Sequence, residues 1–120
     1  METIKEYKET IDLFGKEREV TITIKTEFDP DAISIIESIE SKPDIPETIS
    51  NYENGNLSVD IIWVEVKCGL FSGTDCLGGC FASSIQEHLE TVDCHHMVNE
   101  AIDDYKADAK RYKDFFEGNK

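Results

Sequence analysis

The segment from Leu57 to Cys68 constrains the fold most, because its apolar residues predict the longest strand of the chain. Ile61 and Trp63 fall on one side of an extended chain. The other side carries Ile62, Val64, Val66 and Cys68. A period of two with β-branched residues is typical of a β-strand. Apolar residues on both sides predict that other elements cover part of this strand on both faces, so it needs neighbouring strands and helices.

The segment 8–28 predicts a β-hairpin that supplies two such neighbours. Its second half, Val20–Phe28, alternates apolar and polar residues, and Gly15 precedes it at the expected turn. A competing interpretation makes residues 2–14 a helix, since the apolar residues there share one helical face. We favour the hairpin, because a glycine followed by a β-branched run is the stronger local signal.

Three helices are predicted around these strands. The first spans residues 30–41, begins at Asp29-Pro30 and ends at Lys42-Pro43, with an apolar arc on one side. Residues 44–48 then predict a loop, and Asn54-Gly55 predicts a tight hairpin turn. After a glycine-rich loop over residues 69–81, helices are predicted for residues 83–91 and 94–117. Their apolar stripes differ in phase, which requires a break near Thr91–Asp93.

The sequence therefore predicts a single α+β domain over residues 1–120. A small antiparallel sheet would contain the hairpin 8–28 and the strand 57–68. The helices 30–41, 83–91 and 94–117 would pack mainly on one face of this sheet.

The charge of the chain narrows the class of partner. The 26 acidic and 12 basic residues leave a net charge of −14. Such a surface repels the phosphates of nucleic acids and of anionic lipids, which argues against both as direct ligands. A basic surface on another protein is the expected partner. Because the chain has neither a signal-like leader nor an apolar segment long enough to span a bilayer, we expect a cytoplasmic location.

The excess acid is concentrated in the middle third of the chain. Residues 28–66 contain nine acidic residues and one basic residue, Lys42. Carboxylates gathered on one rigid surface can imitate a row of phosphates and occupy the basic groove of a nucleic-acid-binding protein. The residues predicted to form this surface are Asp29, Asp31, Glu37, Glu40, Asp44, Glu47, Glu53 and Asp60. In charge and size alone, the chain is comparable to phage-encoded inhibitors of host defence nucleases. The alternative is that the acid merely keeps the protein soluble.

All four cysteines and all three histidines lie between Cys68 and His96. A structural zinc ion requires four converging thiolates and imidazoles. The candidate ligands are Cys76, Cys80, Cys94 and His95. The spacing fits zinc poorly, because three residues separate the first pair and the second pair is adjacent in sequence. A zinc-stabilised interaction domain is therefore the alternative function rather than the first.

Reduced cysteines without a metal are the main interpretation of this region. Cys68 continues the inward face of the long strand, and His88 lies on a helix stripe as a half-buried packing residue. Cys76 and Cys80 are close enough in sequence for a disulfide within the loop if they are oxidised. A catalytic thiol at Cys94, near a helix N-terminus, is a third interpretation. Because no nucleophile elbow or phosphate-binding motif accompanies it, we expect a non-enzymatic protein with no cofactor.

Overall fold

The computed structural model describes residues 1–118, with the side chains of residues 1–115. In chain order the elements are β1 (Glu2–Leu13), β2 (Lys16–Phe28), α1 (Ala32–Ile39), α2 (Ile45–Glu53), β3 (Ser58–Cys68), β4 (Phe71–Ala82), α3 (Ile85–Cys94) and α4 (Met97–Gly118). The strands form one antiparallel sheet in the order β1-β2-β3-β4. This confirms the predicted α+β class with an antiparallel sheet.

Strands β1 and β2 form the predicted hairpin, which is longer than expected. Strand β1 begins at Glu2, so the helical alternative for residues 2–14 is wrong. The turn consists of Phe14 and Gly15, both with positive φ (54° and 82°). A left-handed turn of this kind brings the strands back together with the twist of the sheet. Near its start, β1 contains a register shift between Thr3 and Lys5.

The main core lies between one face of the sheet and helices α3 and α4. The alternating residues of β2 and β3 meet the apolar stripe of α4 there. Its members with at most 2% exposure are Val20, Ile22, Ile24, Ile62, Val64, Val66, Val92, Met97, Ala101 and Tyr105. Burying each large aliphatic side chain stabilises the fold by about 1.5–3 kcal/mol. The apolar stripes that the sequence predicts for β2, β3 and α4 therefore account for the packing of α4 on the sheet.

Residues 71–82 form a strand, so the prediction of a glycine-rich loop over residues 69–81 is wrong. Strand β4 pairs with β3 from Cys68 opposite Phe71 to Ser58 opposite Ala82. The glycine at position 73 has a packing function: an added Cβ would lie 2.2 Å from both the Ala101 carbonyl oxygen and the Tyr105 nitrogen. Helix α4 therefore lies against the backbone of β4, and only glycine leaves room for it.

Helices α1 and α2 form a second, smaller cluster at one end of the sheet. Its buried members are Ala32, Ile36 and Val59. Helix α2 occupies residues that the sequence predicted as a loop (44–48), because Pro46 lies in the first helical turn, where proline is tolerated. Gly55 (φ 79°) follows the end of this helix, and the hairpin turn predicted at Asn54-Gly55 is absent from the described structure.

The break between the last two helices lies at His95–His96 rather than at Thr91–Asp93. Helix α3 continues to Cys94, and His96 has a φ of 54°, which ends its helical run before α4 begins at Met97. The difference in phase between the two apolar stripes predicted this break correctly, but at a position about one helical turn too early.

Candidate functional site

A carboxylate and an imidazole meet at the edge of the main core. Asp60 lies on β3 and His88 on α3, and the His88 Nε2 lies 2.6 Å from the Asp60 Oδ2. Both residues are buried, with exposed fractions of 6% and 4%. The Ser58 hydroxyl donates a hydrogen bond to the same Oδ2. The pair thus combines an acceptor on the sheet with a ring on the helix, and it joins α3 to β3.

The second ring nitrogen of His88 has no hydrogen-bond partner. Its Nδ1 is buried and makes no hydrogen bond to any residue within 1–118. When Nε2–H donates to the carboxylate, Nδ1 is an acceptor in a neutral ring and a donor in a protonated ring, and it is unsatisfied in both. An unsatisfied buried polar atom costs about 1–3 kcal/mol, so Nδ1 favours a further hydrogen-bond partner.

Asp60 and His88 also line a pocket of about 370 Å³. The remaining lining residues include a second acidic residue, Glu2, but no lysine or arginine. Glu27 also lines the pocket, but its carboxylate accepts a hydrogen bond from the Trp63 Nε1 on the other face of the sheet. Hydroxyl groups of Ser58, Ser83 and Ser84 and apolar atoms of Phe28 and Ile85 complete much of the wall. Acidic walls with aromatic and hydroxyl groups favour a cationic or N–H-donating group over an anion.

Helix α3 begins beside this pocket, and the backbone amide of Glu87 in its first turn is already hydrogen-bonded. The Ser84 hydroxyl accepts a hydrogen bond from the Glu87 backbone nitrogen, as the capping pattern predicts. Glu87 in turn accepts hydrogen bonds from the backbone nitrogen and hydroxyl of Ser83, which lower the pKa of its carboxyl group. A bound anion would compete with this carboxylate, so the helix start provides no anion site.

The predicted acidic surface is divided by the structure. Residues 29–56, which contain α1 and α2, are here called the acidic lobe. Its exposed or half-exposed carboxylates are Asp31, Glu37, Glu40, Asp44, Glu47 and Glu53. Its basic residue is Lys42. Among the ion pairs of the described residues, none includes a carboxylate of this lobe.

Two of the eight predicted surface residues are buried and serve the fold. Asp29 is 7% exposed and accepts hydrogen bonds from the backbone nitrogens of Asp31 and Gly79. It therefore connects the start of the acidic lobe to β4. Asp60 faces the core and pairs with His88. Neither carboxylate is available to a partner on the outer surface.

The cysteines and histidines do not converge. Cys76 is exposed and Cys80 is buried, while Cys94 and His95 are exposed at the far end of α3. Within residues 1–118, no three His, Cys, Asp or Glu side chains form a group that could hold a metal ion. All four cysteines are free in this structure, and no disulfide joins Cys76 to Cys80. Cys94 lies at a helix C-terminus, which removes the proposed activation by a helix N-terminus.

The Cys80 thiol is buried, which makes it a poor nucleophile. Burial raises its pKa to about 11, and the negative charges of Asp60 and Asp29 act in the same direction. Its thiol points at the carbonyl oxygen of Leu77, 3.3 Å away. Cys80 therefore behaves as a small core residue.

The helix stripe predicted a half-buried His88 and no pairing with Asp60, whereas His88 is 4% exposed and contacts that carboxylate. The signal was present: Asp60 shares the strand face of Ile62 and Val64, so a carboxylate was directed toward the core. A buried carboxylate needs a partner. His88, four residues before the buried Val92 on α3, was a candidate for that partner.

Comparisons with protein-family models, with curated proteins and with solved structures found no match to this chain. Among the helices of residues 1–118, none is both long enough and apolar enough to cross a bilayer.

Proposed function

We propose that this chain is a non-enzymatic binding protein that presents its acidic lobe to the basic surface of a nucleic-acid-binding protein. The observation that carries this proposal is the set of six carboxylates on α1, α2 and their flanks, which lie together in one segment without ion-pair partners among the described residues. Unpaired carboxylates keep their full charge for a partner, and their field accelerates association with a basic groove.

The rigidity of the lobe supports the same function. Its helices are anchored by the buried cluster around Ile36 and Val59, and Asp29 connects the lobe to β4 through Gly79. Carboxylates held on a fixed frame lose less conformational entropy on binding than carboxylates of a disordered tail. The buried Asp29 thus supports the exposed carboxylates of the acidic lobe by holding the lobe against β4.

The Asp60–His88 pocket extends the acidic character of this region. Phe28, which precedes the acidic lobe in the chain, and Gly55, which lies within it, also line the pocket. A lysine or arginine side chain of the partner fits the chemistry of its walls, since the carboxylates of Asp60 and Glu2 and an aromatic ring favour a cation. The pocket would then fix the register of a partner that the lobe attracts.

Nucleic-acid mimicry is the form of this function that the charge favours most. The partner's groove would exchange DNA or RNA for the acidic lobe, and the chain would act as an inhibitor. Among the classes of small acidic protein, an anti-defence inhibitor encoded by a phage combines this size and charge. A cytoplasmic location follows for a protein of that class.

A charge-matched capture experiment tests the proposal. The immobilised chain is exposed to lysate from its native host, in parallel with two variants. The first carries Glu37→Lys, Asp44→Lys and Glu47→Lys in the acidic lobe. The second carries the same change of net charge at exposed carboxylates elsewhere, Asp12→Lys, Glu17→Lys and Asp103→Lys.

The expected result is a protein that the wild type and the second variant retain, that the first variant loses, and that duplex DNA or RNA displaces. If both variants lose the captured protein, its binding depends on the net charge of the chain and not on the acidic lobe. Retention by the lobe variant would overturn the proposal. Circular dichroism of all three chains establishes that the fold is intact.

A further inference from the structure

The two edge strands of the sheet, β1 and β4, differ in how other groups cover their backbone N–H groups. At the β4 edge, the backbone nitrogens of Ser72 and Thr74 donate hydrogen bonds to Asp108 and Asp104 of α4. These carboxylates cover N–H groups that another strand would otherwise use. At the opposite edge, β1 has twelve residues, and β2 is its only neighbouring strand within residues 1–118. The free edge for strand addition is therefore β1.

The charges along β1 are arranged so that the strand complements itself. Residues 5–9 read Lys-Glu-Tyr-Lys-Glu, with Tyr7 at the centre. In an antiparallel pairing of two copies about Tyr7, Lys5 lies opposite Glu9 and Glu6 lies opposite Lys8. Because of the two-fold symmetry, each of these pairs occurs twice. The lysines and glutamates of this segment are all exposed, and Tyr7 is half-buried.

We propose that the chain forms a symmetric dimer in which β1 pairs antiparallel with β1 of a second copy about Tyr7, giving one eight-stranded sheet. Opposite charges directly across a strand pair attract, and aromatic residues facing each other add to the contact. The regular part of β1 begins at Lys5, after the register shift that follows Thr3, so the whole complementary segment is available for pairing.

The side chains of this segment are distributed so that both faces of the new junction would be complementary. Residues alternate along a strand, so Lys5 and Glu9 share the face of Tyr7, which packs against the main core. Glu6 and Lys8 lie on the opposite face. Lys8 contacts Glu19 of β2 at 3.5 Å, but both side chains are more than 60% exposed, so this pair leaves Lys8 accessible to a second copy.

Matched charge variants test this proposal. Lys5→Glu with Lys8→Glu makes all four cross-strand pairs repulsive, and Glu6→Lys with Glu9→Lys does the same with the opposite sign. Lys42→Glu with Lys110→Glu is the control for the first variant, because it changes the net charge equally at exposed positions outside β1. Full exchange, with all four substitutions in one chain, keeps the net charge of −14.

Sedimentation equilibrium of the full chain measures the dimer. We expect the wild type, the full-exchange variant and the Lys42/Lys110 control to dimerise. Each of the two β1 double variants should raise the dimer dissociation constant by about 100-fold or more. An equimolar mixture of these two variants should form a heterodimer, because every opposite pair is then attractive.

Three outcomes would overturn the proposal. The first is a wild-type chain that remains monomeric at every concentration reached. The second is a dimer that both β1 double variants leave unchanged, which would place the interface elsewhere. The third is a full-exchange variant or a mixture that fails to dimerise although circular dichroism shows intact folding. None of these outcomes bears on the acidic lobe, whose binding is measured separately.

Discussion

The His88 Nε2 lies 2.6 Å from the Asp60 Oδ2, where both side chains are almost completely buried. This contact connects a helix that begins beside a pocket to the strand that crosses the centre of the sheet. A buried charge survives only with a partner, so the two residues depend on each other. The contact thus links the stability of the fold to the shape of the pocket.

Removing either member of this pair should destabilise the protein strongly. We expect Asp60→Ala or His88→Ala to lower the free energy of unfolding by about 3–5 kcal/mol, because each leaves its partner buried and unpaired. The apolar double variant Asp60→Val/His88→Leu should lose less than the sum of the two. Urea unfolding measures these values. Glu90→Ala, at an exposed position on the same helix, is the control; an equal loss there would contradict a specific pair.

Gly73→Ala should disrupt the contact between β4 and α4. The added Cβ would meet backbone atoms of Ala101 and Tyr105 at 2.2 Å, and backbone cannot move aside as a side chain can. We expect the free energy of unfolding to fall by about 1–3 kcal/mol or more. Gly78→Ala on the same strand is the control, because the nearest atom to a Cβ added there would be the Asp29 Oδ2, at 3.4 Å. Thermal unfolding of both variants measures the difference, and equal losses would disprove the close approach.

The same contact explains why the sequence predicted β2, β3 and α4 but missed β4. In β2, β3 and α4, the apolar side chains that pack the core recur with the period of a strand or a helix, and this spacing can be read from the sequence. Strand β4 is rich in glycine because α4 lies against its backbone at Gly73 and because Gly79 takes a positive φ of 66° at the register shift. These residues depress local strand propensity, and tertiary contacts override it. Helix α2 was missed because Pro43, just before it, and Pro46, in its first turn, are equally typical of a loop.

The candidate site was predictable in part. The sequence located most of the acidic lobe, since charge density can be counted. It could not show that Asp29 turns inward to Gly79, because that hydrogen bond joins residues fifty positions apart. The approach of Asp60 to His88 depends likewise on where α3 crosses β3. The cysteines are close in sequence but do not form one site, because they lie on three elements, β3, β4 and α3, and differ in burial.

The cysteines should differ in their rates of alkylation. Cys76 and Cys94 are exposed, whereas the pKa of Cys80 is raised to about 11 by burial. We expect iodoacetamide at neutral pH to modify the first two rapidly and Cys80 last, because the thiolate is the reactive form. Peptide mass spectrometry at successive times measures the order. In denaturant the difference should vanish; rapid labelling of Cys80 in the native protein would contradict its buried position.

The stability of the protein should depend on pH through Glu65. Lys25 donates a hydrogen bond to its carboxylate at 3.0 Å and lowers its pKa below the ordinary value of 4.5. A lowered pKa in the folded state means that the stabilisation is present above 4.5 and is lost as the pH falls through the folded value. Lys25→Met should therefore reduce stability at neutral pH and have less effect in strong acid. Urea unfolding across this range measures both chains; an effect that grows toward acid would contradict the assignment.

If the acidic lobe is the binding surface, the affinity for the captured partner should depend on the salt concentration through this lobe. We expect Glu37→Lys, Asp44→Lys and Glu47→Lys together to raise the dissociation constant, measured over a range of salt concentrations, by about 100-fold or more and to flatten its dependence on salt. The charge-matched variant at Asp12, Glu17 and Asp103 should stay close to the wild type. Equal affinities for the two variants, with the same salt dependence, would contradict the claim that this lobe is the binding surface.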